Sequence, residues 1–317
     1  MARRASGAPP RVVKVTACAK LNLGLAVGPR RPDGDHELAT VFQSISLADT
    51  LVAERRARGF RLTVRHEDAS VRTAKAGSRA FVPAGPSNLV LRAARRFADA
   101  FGLEAGASFT LIKRIPSRAG LGGGSADAAA ALRALAALYR VRATRAGLRA
   151  LAAGIGADVP FALRGGTAIG FGRGDELRPA RLDRPFRALV AVPSWRVSTS
   201  RAFAEIDRNN FALTRWKAKL RFVQSFSRKR LSVARALRLG NDFEDVLGSH
   251  RARFATLRGR LSAAGLSDVR LTGSGSAVFG ILPTNASVGN VTGRISGTEA
   301  LYVVRSRGAG LRLTKSR

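Results

Sequence analysis

Pro116-Ser117-Arg118-Ala119-Gly120-Leu121-Gly122-Gly123-Gly124-Ser125-Ala126-Asp127 governs how the rest of this chain is read. Four of the five residues from Gly120 to Gly124 are glycine. Before them stands a short apolar run, Phe109–Ile112, which reads as a strand. After them an alanine-rich stretch, Ser125–Tyr139, reads as a helix apolar almost all round and therefore buried. A strand that turns through glycines into a helix lets backbone N–H groups converge without Cβ obstruction. The helix start adds its unpaired N–H groups and the positive end of its dipole. Such a turn suits an anion, and a phosphate chain in particular. It is not a Walker loop, because no Gly-Lys-Ser/Thr ends it. Nor is it a dinucleotide fingerprint, since Ser125 takes the third glycine position and no acidic residue follows about twenty positions on. A glycine turn that serves only tight packing is the bland alternative.

Other residues gain meaning from this loop. Leu21, Leu23, Leu25 and Val27 alternate along a strand, which puts Lys20, Asn22 and Gly24 on its other face. Phe60, Leu62 and Val64 mark another strand. Ser87 is placed to cap a helix whose apolar positions Val90, Ala94, Phe97 and Phe101 run to a stop at Gly102. Thr144–Gly154 reads as a further helix. Asp158, in Gly154-Ile155-Gly156-Ala157-Asp158-Val159-Pro160, is either a helix cap or a functional acid. Lys20 alone reads as a lysine that snorkels to water, and His36, after the turn Pro29–Gly34, as a structural histidine. In the second half Arg187–Pro193 is a buried-strand pattern. Val269–Thr272 and Ala277–Leu282 flank a second glycine turn, Gly273–Gly275, and Glu299–Arg305 reads as the last strand. Strands and helices intermingle without a regular βαβ ladder, which predicts an α+β fold.

Composition narrows the function classes. The chain has 317 residues, enough for two domains, and a net charge of +34 from 55 Lys and Arg against 21 Asp and Glu. That charge favours anionic partners. One cysteine, Cys18, excludes a disulfide framework, and three histidines without a spaced pair predict no protein-built metal site. Residues 1–11 read as a basic tail, and Ala128–Leu138 is too short to span a bilayer. A cytoplasmic protein without membrane attachment, monomer or homodimer, is expected. Between Arg208 and Gly240 there are ten Lys or Arg and no acid, interleaved with Phe211, Trp216, Phe222 and Phe226. That pattern raises nucleic-acid binding as a different class of function, although specific binding is not expected.

Taken in order, several elements resemble the GHMP kinase superfamily over about residues 12–282. They are Ala19-Lys20-Leu21-Asn22-Leu23, Arg31-Pro32-Asp33-Gly34-Asp35-His36, Ser87-Asn88-Leu89, the Pro116–Asp127 loop, Gly156-Ala157-Asp158-Val159-Pro160, Asn241-Asp242-Phe243-Glu244 and Thr272-Gly273-Ser274-Gly275. The Lys-x-Asn, Asp-Gly-x-His and Gly-Ala-Asp-Val-Pro elements point to the branch that phosphorylates a cytidyl diphosphate polyol of non-mevalonate isoprenoid synthesis. The resemblance implies a ribosomal-S5-like ATP-binding domain over 12–184, a ferredoxin-like domain over 185–317 and an active site in the cleft between them. It implies ATP with Mg2+, Asp158 as base and Lys20 as its charge partner. Pro116, Gly120, Leu121, Gly122, Gly123, Gly124 and Ser125 would hold the phosphates, with Asn88 and Lys113 near adenine. Asn22 and His36 would face the cytidine, Phe203 would stack on cytosine, and Thr272, Gly273, Ser274 and Gly275 would close on the substrate. One position departs from that pattern: the family's tyrosine before the histidine is Asp35 here. A homoserine or mevalonate type of GHMP kinase is the enzyme alternative.

Overall fold

The computed structural model describes residues 10–71, 82–209, 211–227, 230–297 and 299–316. Most of the expected basic tail lies outside them. The chain opens with two long strands, β1 (Val12–Arg30) and β2 (His36–Arg56), followed by β3 (Phe60–His66), α1 (Leu89–Phe101) and β4 (Gly106–Lys113). Next come α2 (Gly123–Leu138), α3 (Arg145–Ala153), α4 (Val159–Arg164), β5 (Thr167–Phe171) and β6 (Glu176–Ala180). The second half holds β7 (Arg187–Val192), α5 (Thr199–Asn209), α6 (Phe211–Gln224), α7 (Val233–Leu237), α8 (Arg251–Ala263), β8 (Ser267–Leu271), β9 (Val278–Leu282), α9 (Val288–Arg294), β10 (Ala300–Arg305) and β11 (Leu311–Ser316).

The first sheet runs β11-β1-β2-β4-β3, with β5 also paired to β2 and β6 to β5; the second runs β10-β7-β9-β8. The β1–β2 hairpin is too long to stay flat. Its register slips between Cys18 and Lys20, between Asn22 and Gly24, and again between Val27 and Arg30. Bulges of this kind bend a strand and re-aim its side chains. Beyond the first two, Leu25 and Val27 leave the first core and join the second one, with Leu189, Leu257, Leu261 and Val278. The hairpin therefore belongs to both halves, and Lys20 and Asn22 sit at the crossing.

α2 lies in the middle of the first half, with Ala126, Ala128–Leu132, Ala134, Leu135 and Leu138 buried. Alanines let neighbouring elements approach closely, which fixes the glycine loop at its N-terminus. α1 is capped by Asn88, one residue after the expected Ser87; the Asn88 side chain accepts from Val90 N at 2.9 Å. Its stop is Gly102, as expected, in the left-handed region.

Glu299–Arg305 is not the last strand. β11 follows it and pairs antiparallel with β1, Leu313 opposite Val15. Residues expected in the C-terminal domain thus close the edge of the first sheet. The segment after Leu282 also contains α9. Among the described residues no helix is long and apolar enough to cross a membrane.

Candidate active site

Lys20 lies between two bulges of β1, and its backbone N–H donates to Leu121 O of the glycine loop at 3.0 Å. Its ammonium donates to Asn22 Oδ1 at 2.5 Å and stands 3.6 Å from Asp158 Oδ2. The lysine side chain is nearly buried at 8% exposure, whereas that of Asp158 is 34% exposed. Asp158 occupies the residue before α4, yet its backbone is already helical and its side chain makes no capping hydrogen bond. The cap reading therefore fails, and the carboxylate is open to a cleft of about 590 Å³.

The two glycine turns meet over this cleft. A Cβ on Gly120, whose φ is +77°, would strike Thr272 O, and a Cβ on Gly122 would lie 2.9 Å from Lys20 Cγ. Only glycine allows both approaches. Ala277 N donates to Ala119 O at 3.1 Å, which ties the turns together. Asn22 acts as the rivet. Its N–H donates to Thr272 Oγ1, its Oδ1 accepts from Gly273 N, and its Nδ2 donates to Thr40 Oγ1. Asn22 borders the cleft, but these bonds join the domains and leave it little free capacity for cytidine. Ser274 is held by Thr199, hydroxyl to hydroxyl at 2.7 Å.

On the other side of the loop lies a pocket of about 510 Å³. It is lined by Asn88, Pro116 and the loop through Ser125, with Lys113 and Asp127 at its base. Gly120, Gly122 and Arg118 border both spaces, so the loop is the wall they share. The Lys113 ammonium is not free to reach a base. It donates to Asp49 and, at 2.8 Å, to Asp127. Asp49 also accepts from the N–H groups of Arg114 and Ile115 at 2.6 and 2.9 Å, while Asp127 Oδ1 has no partner. Burial pushes Asp127 well above the usual carboxylate range, against the pull of Lys113. Burial opposes the charge on Lys113, but the two carboxylates outweigh it and raise its pKa.

At the far end, His36 bonds Asp207 at 2.8 Å and stacks on Phe203 with ring centroids 4.8 Å apart. Phe203 borders the cleft, whereas His36 does not. Asp35 turns to Arg173, 3.4 Å away. The aromatics of the basic segment are used inside the molecule. Phe226 is buried edge-on to Phe222, and Trp216 packs against Gly28. They do not form an open stacking face; the Phe211 side chain lies outside the described residues.

Some working residues escaped the sequence reading. Asn241 holds the second glycine turn by donating to Leu271 O and Gly273 O at 3.0 and 2.9 Å. The Asn241-Asp242-Phe243-Glu244 motif alone does not announce that role. Arg118 and Arg196 border the cleft with no signal beyond an arginine-rich composition.

Two family models match the chain, the GHMP kinases N terminal domain over residues 88–166 and the GHMP kinases C terminal domain over 224–298. A 4-diphosphocytidyl-2-C-methyl-D-erythritol kinase from Salinispora tropica is 38% identical over 303 residues, covering 93% of this chain and 91% of that one. The kinase of the same name from Pelotomaculum thermopropionicum is 37% identical, covering 92% and 97%. A crystal structure of 4-(cytidine 5'-diphospho)-2C-methyl-D-erythritol kinase superposes with a TM-score of 0.71 at 34% identity, over 93% of this chain and 100% of that one. The homoserine kinase of Cytophaga hutchinsonii, at 18% identity and a TM-score of 0.68, shares the fold. The chain belongs to the 4-diphosphocytidyl-2-C-methyl-D-erythritol kinase family of the GHMP kinases.

Proposed function

We propose that this protein transfers the γ-phosphoryl group of ATP to the 2-hydroxyl of 4-diphosphocytidyl-2-C-methyl-D-erythritol, a step in non-mevalonate isoprenoid precursor synthesis. The observation that carries this is the Lys20–Asp158 pair at 3.6 Å, facing the cleft beside Gly120 and Gly122. ATP enters the pocket beside Asn88, its phosphates lying along the N–H groups of Gly120–Ser125 at the start of α2. The acceptor alcohol enters the cleft and presents its hydroxyl to Asp158. Asp158 accepts the hydroxyl proton as the oxygen attacks, and the Lys20 ammonium offsets charge on the transferring group. Phosphoryl transfer needs positioning and charge stabilisation above all, and the rigid contact between the two glycine turns supplies the first.

Among the described residues no group of three acidic, histidine or cysteine side chains could hold a metal. Mg2+ keeps water and phosphate oxygens as most of its ligands and would come with the nucleotide. Ser125, in the first turn of α2 and on the wall of the pocket, would offer its hydroxyl to such an ion, and Mg2+ would supply charge neutralisation to the phosphates. Phe203 would stack on the cytosine, with His36 and Asp207 behind it.

The test is ADP formation by the purified protein with the cytidyl polyol, homoserine and mevalonate side by side, and 31P NMR of the product. A new phosphomonoester on the 2-oxygen of the cytidyl polyol alone supports the reading. Turnover of homoserine or mevalonate but not the cytidyl compound overturns it.

A further inference from the structure

Arg118 borders three cavities: the nucleotide pocket, the acceptor cleft and a small cavity of about 90 Å³ between Pro116–Ala119 and the Val192–Ser194 segment. Arg196, on the segment after β7, borders the cleft and the small cavity from the other half of the molecule. The two arginines therefore stand together at the line where the domains meet. Both are exposed. Among the described residues neither forms an ion pair or a side-chain hydrogen bond.

Two further facts bear on Arg118 and on the cleft it borders. Arg118 has a φ of +57°, a left-handed conformation that glycine adopts freely and arginine does not. Arg140, just past the end of α2, is left-handed too, so the strain at Arg118 gains its meaning from its place on the glycine loop beside the cleft. The charge inventory of the cleft points the same way. Its walls carry Lys20, Arg118 and Arg196 against Asp158 alone, and the Lys20 ammonium is already committed to Asn22 and Asp158. A diphosphate-bearing acceptor would bring at least two more negative charges into this space.

We propose that Arg118 and Arg196 form a two-armed clamp on phosphoryl oxygens. Arg196 holds the acceptor's diphosphate, and Arg118 stands between that diphosphate and the terminal phosphate of ATP. The planar guanidinium fork suits this work, since it can give two parallel N–H bonds to one phosphate group. The clamp rests on the reading of the acceptor as a diphosphate. It adds a specificity element, because a small alcohol without phosphate would leave Arg196 unpaired and Arg118 with ATP alone.

The experiment uses the full-length protein and four variants: Arg196→Gln, Arg118→Gln, Arg118→Gly and, as a control for overall charge, Arg253→Gln on the exposed face of α8. KM is measured for ATP and for the cytidyl polyol, with equilibrium binding of CDP and of cytidine as probes. Arg196→Gln is expected to raise the acceptor KM and weaken CDP about tenfold to hundredfold, leaving cytidine binding and the ATP KM unchanged. Arg118→Gln raises both KM values. Arg118→Gly does the same while raising the thermal midpoint, because it relieves the left-handed strain. The control changes nothing. The clamp is overturned if Arg196→Gln leaves CDP binding intact, if cytidine weakens as much as CDP, or if Arg253→Gln has an equal effect. Should the unaltered protein fail to phosphorylate the cytidyl polyol, the functional reading falls, and the CDP and cytidine comparison still decides the clamp.

Discussion

Two lysine–aspartate assemblies press against the glycine loop at successive residues. Gly122 approaches Lys20, and Gly123 approaches Lys113, whose Nζ would lie 3.3 Å from a Cβ placed there. Both lysines are buried and both face a carboxylate. They differ in what surrounds the acid. Asp158 stands at the cleft surface with one lysine near it and no capping bond. Asp49 and Asp127 are buried beneath the loop, away from the acceptor cleft; Asp49 takes Lys113 and two backbone N–H groups, and Asp127, at the base of the other pocket, takes Lys113. A carboxylate must be reachable and incompletely satisfied to take a substrate's proton. Lys20–Asp158 meets that condition, whereas Lys113–Asp49–Asp127 ties β2, β4 and α2 into the platform on which the loop rests.

The sharpest way to break this comparison is Asp158→Asn. It removes the base while leaving shape and the nucleotide pocket intact. Turnover is expected to fall by about two to four orders of magnitude, with the affinity for ATP nearly unchanged. Single-turnover kinetics and nucleotide titration measure the two quantities separately. Near-normal turnover would strip Asp158 of its role and remove the distinction between the assemblies.

Lys113→Met tests the other side. It deletes the one ammonium between two buried carboxylates, leaving Asp49 its two backbone N–H donors and Asp127 none. Breaking a buried pair in this way costs about 3–5 kcal/mol of folding stability, to be read from the urea midpoint. A loss below about 1 kcal/mol, the scale of an exposed pair, would mean that Lys113 is free for ligand contact, as the family resemblance first implied. Asn22→Ala should fall between the two assemblies in kind. It leaves Gly273 N and Lys20 each short of an acceptor, at a cost of about 1–3 kcal/mol, and it loosens the contact between the glycine turns, so both stability and turnover decline.

Much of this arrangement was legible from local sequence. The glycine loop, the buried α2 and the β8–β9 hairpin follow from composition and periodicity, and Asp158 and Lys20 follow from the order of motifs. What could not be read depends on distance along the chain. Lys113 meets Asp49, 64 residues away, and nothing near either residue announces the pairing. β2 hides its buried half because Gln43 and Ser44 interrupt the apolar pattern. Their polar groups are satisfied by Thr167 Oγ1 and Gly166 N from β5 and its approach. β11 offers only Leu311 and Leu313 as an apolar signal, and its pairing with β1 is set by the open edge of a sheet formed three hundred residues earlier. Asn22 shows the same limit at the site itself. Its position on the cleft face was readable, but its use as a rivet required Thr272 and Gly273 to be brought alongside.

The smallest effect is expected from Asp127→Asn, and it bears on how the buried assembly balances its charge. Asp49 has three donors, whereas Asp127 has one and an unpartnered oxygen. Burial raises the Asp127 pKa above its ordinary value of 3.8, so the native state holds this proton more tightly than the unfolded chain does. Stability from this group is therefore greatest in acid and declines as pH rises from near 3.8 through the raised native value. Asparagine copies the protonated form: it accepts from Lys113 through oxygen and places an uncharged NH2 where the unpartnered oxygen stood. Asp127→Asn should change stability by less than about 1 kcal/mol in mild acid and should gain on the unaltered protein as pH rises. Urea midpoints across the pH range give the slope directly. A variant that tracks the native pH profile, or that unfolds as readily as Lys113→Met, would show that Asp127 works as a fully ionised partner and that the buried assembly carries a net negative charge beneath the phosphate loop.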